Sequence, residues 1–399
     1  MTNTPVEDAL IRFTEALGSY IRKTETVEVV NSLDRVTAEA VFAQSDSPLY
    51  NSAAMDGIAV ISSHTFGASE SSPLVLLQGK DYMPIETGAS VKSPFDAVVM
   101  SEDIHKAEGG SVIIRSEAAA WQHVRPAGED IARREMLLPG SHRIRPIDIG
   151  VLLSGGITHL TVFERPSAAI IPTGSEMAEP GEEPGEGSII ESNSRMLEAL
   201  VTQTGGIPFR FSPIPDDYPK LKEFLTDVTG RFDMVLVIAG AGAGRKEYVV
   251  NLIRELGEII VHGVAMKPGK PAILARVNGK PVVGIPGYPV SAYLVYKNFA
   301  APVLTSMSGL LYSDDLIVKA RLEKRIVSSL KYKEYVRVKI VRAGEELIAS
   351  PLARGAGAAM SLVHADGFCV IEQDIEGIEA GSEVPVVLCS GKNAIINHA

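Results

Sequence analysis

Two lysines stand three positions apart in the run Lys267-Pro268-Gly269-Lys270-Pro271, a turn stiffened by two prolines. Positive charge on so restrained a backbone loses little conformational freedom on meeting an anion, so Lys267 and Lys270 are natural binders of phosphate or another oxyanion. The same spacing suits two solvated turn lysines equally well. Downstream, an apolar run ends in Pro286-Gly287-Tyr288-Pro289-Val290-Ser291 and a helical pattern follows. Amides and the Ser291 hydroxyl at such a junction can face an anion, or Ser291 can simply cap the helix.

A third element, VLVIAGAGAGRKEY, runs an apolar strand into Gly240, Gly242 and Gly244, and close glycines let a backbone approach phosphate. Neither named phosphate motif is met. Arg245 stands where the dinucleotide fingerprint needs its third glycine, and Lys246 is followed by Glu247 where a Walker loop needs Ser or Thr. Carboxylates come from scattered segments: Asp56 in SAAMDG, Asp130 in GEDI, Glu176 in TGSEM, and Asp233 at the head of an apolar strand. Such groups suit Mg²⁺, which takes a few carboxylates plus phosphate oxygens, although each alone also reads as a solvated loop residue or cap. The histidines show no HxxxH spacing and no GxSxG string occurs, which disfavours a histidine metal site and covalent serine catalysis.

The elements that must position these groups follow from periodicity. Ala9, Leu10, Phe13, Leu17 and Ile21 recur at helical spacing, predicting an amphipathic opening helix from Glu7 to Ile21. Between Ser45 and about Pro139, short β-rich runs (IAVIS, LVLLQ, DAVVM, SVIIR) alternate with Gly, Pro and Ser, predicting a small all-β module. Strand and helix patterns then alternate through AAIIPTG, SRMLEALVTQTGG, DMVLVIAG, EYVVNLIREL, AILARV and PVVGIPG, which implies a parallel sheet with covered faces. The loop EMAEPGEEPGEGSIIESN interrupts the first strand-to-helix connection, where such sheets keep their sites. Beyond Ser313 alternating β sequence returns and predicts a C-terminal barrel or sandwich.

The 399 residues carry a net charge of −11, which opposes non-specific attraction to nucleic acid or anionic membrane and requires any anion to meet local positive groups. Cys369 and Cys389 are too few for a disulfide framework and read as reduced core residues. The N-terminus lacks a signal-peptide pattern and no apolar run reaches membrane-helix length, so a cytoplasmic protein is expected.

Seven strings, NSAAMDGIAV, TGASV with DAVVM, GEDI, PTGSEM, SNSRML, KPGKP and PGYPVSA, together resemble the molybdopterin molybdenumtransferases, the MoeA-type enzymes related to the C-terminal domain of gephyrin. The resemblance covers almost the whole chain. It implies a multidomain fold: an elongated split domain (1–44 and 135–165), an inserted β-domain (45–134), an α/β molybdopterin-binding domain (166–306) and a C-terminal β-barrel (313–393). It also implies Mg²⁺-dependent replacement of AMP on adenylylated molybdopterin by molybdate, or by tungstate. By motif, Asp56, Thr87, Asp130, Glu176 and Asp233 match positions of the family's catalytic cleft, with Asp56, Glu176, Asp233 and Glu247 as metal-ligand candidates. Ser192, Asn193, Gly240, Gly242, Gly244, Lys267, Lys270, Pro286, Gly287, Pro289 and Ser291 match its anion-binding edge, and Arg354 and Ser361 a C-terminal cleft segment. A homodimer is implied, with the SAAMDG and GEDI side of each cleft from one chain and the KPGKP side from the other, and a molybdopterin adenylyltransferase as a partner.

Two departures from the family pattern stand out. AGAGAGRKEY replaces the usual SGGVSVG string and its acidic-Asp-Tyr ending, which puts Ala243 in place of a serine and Glu247 in place of an aspartate, and PGYP at Tyr288 replaces PGNP. A lost hydroxyl contact to a charged group is worth about 1.5–3 kcal/mol. These changes leave two other readings open: a non-catalytic molybdopterin-binding scaffold, or another nucleotide-pyrophosphate enzyme on the same α/β fold.

Overall fold

The computed structural model describes residues 3–183, 185–215, 217–239, 243–310, 316–353 and 355–389, without the side chains of residues 243–247. The chain divides into two compact units, one of Met1–Lys23 with Glu164–Ala399 and the other of Thr24–Phe163.

The opening helix α1 (Val6–Leu17) carries Glu7 and Asp8 in its first turn, where they complement the helix dipole, and buries Val6, Ala9 and Phe13. It is shorter than its periodicity suggests. Gly18 ends it at φ 65°, and Ile21 lies outside it at 87% exposure. Its buried face belongs to the core of the α/β unit, so α1 does not stay with the split segment expected over residues 1–44.

In the second unit, β1 (Thr24–Glu28) pairs with a strand at His159–Phe163, and two three-stranded antiparallel sheets form the expected β-module. One sheet centres on β2 (Gly57–Val60), between strands Tyr82–Ile85 and Ala97–Met100. Ile58, Val60, Leu76, Val99 and Ile114 fill the space between the sheets. Gly57 packs so tightly that a Cβ there would lie 2.0 Å from the Val99 carbonyl oxygen, and this close approach fixes the backbone just after Asp56.

The α/β unit is built on β3 (Ser167–Pro172), α2 (Asn193–Gln203), β4 (Ile207–Arg210), α3 (Tyr218–Arg231), β5 (Met234–Ala239), α4 (Ala243–Leu256), β6 (Gly257–His262), β7 (Ile273–Val277) and β8 (Lys280–Pro286). Strand order is β4-β3-β5-β8-β7-β6; the first four run parallel and the last two antiparallel. The antiparallel pair departs from the all-parallel expectation. Asn278 and Gly279, both at positive φ, form a two-residue turn between β7 and β8, the dipeptide that favours hairpins. Leu197 and Val201 of α2 cover one face, and Leu221, Leu225, Val249 and Ile253 of α3 and α4 cover the other. After β8 the chain enters α5 (Pro289–Val295), which continues through a π turn into a helix at Ala301–Met307.

The C-terminal strands β9 (Ile317–Leu322), β10 (Lys333–Ala343), β11 (Glu346–Pro351), β12 (Gly367–Ile371) and β13 (Glu383–Leu388) close into a five-stranded barrel, because β10 pairs with both β11 and β12. Val336, Val338, Ile340, Cys369 and Val386 point inward, and burial pushes the Cys369 thiol up to about 11. The other face of β10 turns towards the α/β core, where Tyr335 and Phe368 are buried and Tyr335 donates to Asn298 Oδ1 at 2.8 Å. No helix among the described residues is long and apolar enough to cross a membrane.

Because Phe13 is fully buried in the α/β core, Phe13→Ala is expected to cost about 3–5 kcal/mol in denaturant unfolding of the whole chain. A loss below about 1 kcal/mol, typical of a surface position, would detach α1 from that core.

Candidate functional site

Parallel register sets the site. Pro172 stands opposite Ile238 and Ala239 opposite Pro286, so β3, β5 and β8 end together. Open α/β sheets bind ligands outside such carboxyl ends. The loop from Gly174 to Ser192 leaves β3, and the Gly287–Ser291 turn leaves β8 into α5. Between them Asn193, at the start of α2, donates from Nδ2 to the Gly287 carbonyl at 2.6 Å. Asn193 and Gly287, two of the candidate binding residues, are therefore brought together, while Ser192 beside them is exposed.

The lysine turn closes one side. Met266 to Pro271, Pro286, Tyr288, Ser291 and Ala356 surround a pocket of about 330 Å³. The Lys267–Pro268 peptide is cis, and Gly269 adopts φ 119°, which suits a residue without a side chain. Lys267 Nζ lies 3.9 Å from the buried Glu334 carboxylate and keeps 56% side-chain exposure, so its ammonium remains largely open. Lys270 Nζ donates to Tyr332 Oη at 2.8 Å and sits 5.1 Å from the centre of that ring. This bond, with the charges of Lys270, Lys331 and Lys267, holds the Tyr332 phenol below its ordinary pKa. Pro289 opens α5, and Ser291 is buried in its first turn.

A basic group that sequence patterning missed lies on the barrel strand β10. Arg337 on β10 is 1% exposed, and burial lowers its pKa. Its Nη2 donates to the Ala353 carbonyl at 2.6 Å, while Nε and Nη1 find no hydrogen-bond partner among the described residues. Ala353 starts the segment whose Ala356 lines the pocket, and the Ala356 carbonyl accepts from Val290 N at 3.2 Å. In KEYVRVKIV an arginine between two valines reads as the solvent face of a strand; only the docking of that face on the α/β core buries it. Ser361 donates its hydroxyl to Ala358, within its own short turn.

The long acidic loop is held by a second missed residue. Arg210 at the end of β4 makes two contacts with Glu179, at 2.8 and 2.7 Å, approaches buried Glu191 at 3.4 Å and donates to Ser194 Oγ at 2.5 Å. One guanidinium thus ties both halves of the loop to the start of α2. Within it Glu176 folds back on Gly174, where a Cβ would lie 2.8 Å from the carboxylate.

Asp233 is not in this place. It precedes β5, and the neighbouring Ser167 and Lys280 begin β3 and β8, so it marks the opposite end of the sheet from Glu176, roughly 20 Å away for six-residue strands. Its carboxylate accepts from Ser167 N at 2.9 Å, Ser167 Oγ at 2.8 Å, Tyr20 Oη at 3.0 Å and Lys280 Nζ at 3.2 Å. Burial raises its pKa, but these donors outweigh that and hold it low. This geometry corrects the expectation that Asp233 shares a cleft or a metal ion with Glu176. Among the described residues no three His, Cys, Asp or Glu side chains gather to hold a metal. Gly240, Gly242 and Arg354 lie outside the described residues, as do the side chains of Ala243, Arg245 and Glu247; Gly244 falls in the first turn of α4.

In the other unit Asp56 and Thr87 meet directly. Asp56 Oδ1 accepts from Thr87 N at 2.7 Å and from Thr87 Oγ1 at 2.8 Å, which holds the carboxyl below its ordinary pKa and leaves Oδ2 facing solvent. Asp130 is exposed, with its amide on the Ser47 carbonyl at 3.0 Å, and no hydrogen bond joins it to that pair among the described residues.

Thr87→Val should raise the Asp56 pKa part of the way to normal in a carboxyl NMR titration, because the Thr87 amide, the larger cause, remains. No change would remove the hydroxyl from this pair. Arg337→Met should leave thermal stability equal or higher, since it removes a buried charge with unpaired nitrogens. A clear fall in Tm would show the guanidinium to be fully satisfied in the free protein.

Family models match the chain in three consecutive blocks: "MoeA N-terminal region (domain I and II)" over residues 4–156, "Probable molybdopterin binding domain" over 169–306 and "MoeA C-terminal region (domain IV)" over 319–389. A molybdopterin biosynthesis protein of Methanocaldococcus jannaschii is 31% identical over 94% of this chain and 95% of its own length. A molybdopterin molybdenumtransferase of Staphylococcus aureus is 26% identical over 96% of this chain and 95% of its own. The crystal structure of a molybdopterin biosynthesis MoeA protein from Pyrococcus horikoshii superposes with a TM-score of 0.83 at 31% identity, covering 98% of this chain and 100% of that one. Three family regions in order, and a relative of this identity along nearly the whole length, make this chain a member of the MoeA family of molybdenum cofactor biosynthesis.

Proposed function

We propose that this chain is a molybdopterin molybdenumtransferase that inserts molybdate, or tungstate, into adenylylated molybdopterin and releases AMP. The observation that carries the reading is the pocket at the shared strand ends, where Lys267 and Lys270 are held on a rigid turn beside the start of α5 in a chain of net charge −11. Pterin phosphate, pyrophosphate and metal oxyanion are all negative, so such charge is what their shared transition state requires. Preorganised cations need no rearrangement at the moment of reaction. The names of the Staphylococcus and Methanocaldococcus relatives support the substrate class.

Mg²⁺ enters this proposal only as a companion of the substrate's pyrophosphate. Asp233, one of the candidate ligands, is engaged by Ser167, Tyr20 and Lys280. The reading includes a homodimer in which Asp56, Thr87 and Asp130 of one chain complete the cleft of its partner, supply of substrate by a molybdopterin adenylyltransferase, and a cytoplasmic setting. These rest on the family resemblance.

Purified protein given adenylylated molybdopterin, Mg²⁺ and molybdate is expected to release AMP; no release with either molybdate or tungstate would sink the proposal. Lys267→Ala and Lys270→Ala should each weaken anion binding by about 1.5–3 kcal/mol, the worth of a charge-assisted bond, with the fold intact. Unchanged affinity in calorimetry would take the lysines out of the site.

A further inference from the structure

We propose that Tyr332, on the segment entering the barrel strand β10, is a third substrate-contacting residue of the lysine turn, its hydroxyl donating to the oxyanion that Lys267 and Lys270 meet. This rests on the anion-binding reading of that turn.

The direction of one hydrogen bond carries the inference. An ammonium has only donors, so in the 2.8 Å contact with Lys270 the Tyr332 oxygen must accept. Its own hydrogen is then aimed elsewhere, and no acceptor for it is found among the described residues. A phenol that accepts from a cation is polarised and donates more strongly. The positive charges of Lys331 and Lys267 add, more weakly, to the effect of Lys270 on the same hydroxyl. Such a group is poorly suited to a cationic or neutral ligand and well suited to a multiply charged oxyanion, either phosphate or a tetrahedral metal oxyanion.

The backbone keeps Tyr332 and the turn together. Lys333 N donates to the Ala265 carbonyl at 2.8 Å, and Lys333 and Glu334 pair in parallel with Met266 and Lys267. The strand that directly follows the phenol is therefore hydrogen-bonded to the strand that opens the lysine turn. The Lys270 ammonium meets the ring at its hydroxyl edge, so Phe at this position would keep the ring's packing while removing the hydroxyl and its bond to Lys270.

A linkage follows. An anion bound here offsets the lysine field and favours the neutral phenol, so binding should raise the pKa of Tyr332, and affinity should fall as pH rises through that pKa.

The test uses the full chain with inorganic pyrophosphate and, separately, molybdate as probes in calorimetry. Tyr332→Phe should weaken binding of at least one probe by roughly ten- to a hundredfold, the loss of one charge-assisted bond, with thermal stability unchanged. The probe affected tells whether the hydroxyl serves phosphate or the metal oxyanion. In a tyrosinate absorbance titration a step below the ordinary phenol range should vanish in Tyr332→Phe, and in the wild type it should move to higher pH when the affected probe is bound. Unchanged affinity for both probes in Tyr332→Phe, alongside a loss in Lys267→Ala, would overturn the role of Tyr332 and leave the lysine turn standing. Tighter binding in Tyr332→Phe would overturn it too, because the phenol would then be a competitor for Lys270. No effect of Lys267→Ala would remove the turn's reading and Tyr332 with it.

Discussion

Everything at the candidate site depends on the register of three parallel strands. With Val235 opposite Val282 and Ala169 opposite Val235, buried backbone groups pair along β3, β5 and β8, and apolar side chains fill both faces. A slip of one residue would reverse every inward and outward side chain, so the register is strongly specified. Because of it Pro172, Ala239 and Pro286 finish side by side, and the segments that follow meet. The Asn193 bond to the Gly287 carbonyl is a consequence of that meeting: it joins the start of α2 to the turn ahead of α5 across the strand ends.

Positive charge in an acidic chain has to be fixed locally, and the α/β unit and the barrel fix it in three ways. Lys267 and Lys270 ride on a turn whose prolines and glycine leave it little freedom. Lys270 is further oriented by a phenol. Arg337 is held by burial and a single carbonyl, with two nitrogens unpaired among the described residues. That last arrangement costs stability in the free protein. In the acidic loop, Arg210 ties Glu179 and Glu191 to the base of α2.

Asp233 illustrates how a motif can place a residue correctly in sequence and wrongly in space. Standing directly before a buried strand of a parallel sheet, it is fixed at that strand's amino end, whereas ligands gather at the carboxyl ends. Its donors Ser167 and Lys280 begin the neighbouring strands and Tyr20 comes from the segment after α1, so the group acts as a clasp of the sheet.

The order β-module, α/β domain, β-barrel was legible in the sequence, because strand and helix periods differ and because buried parallel strands such as MVLVIA read as unbroken apolar runs. The lysine turn, the Gly287–Ser291 junction and the family motifs were equally legible, being local and carried by residues whose backbone preferences are strong. The Asn278-Gly279 hairpin was also written there, though strand alternation alone suggested a parallel sheet. Three features only the tertiary structure decided. The packing partner of α1 depends on contacts with residues some 150 or more positions away, such as Ala168 and Phe299, which share its core. The solvent or core fate of Arg337 depends on which face of a barrel strand meets the α/β core, and a period of two cannot say which. The direction of the Lys270–Tyr332 bond joins residues 62 positions apart, which only the pairing of β10 with the lysine strand brings within reach.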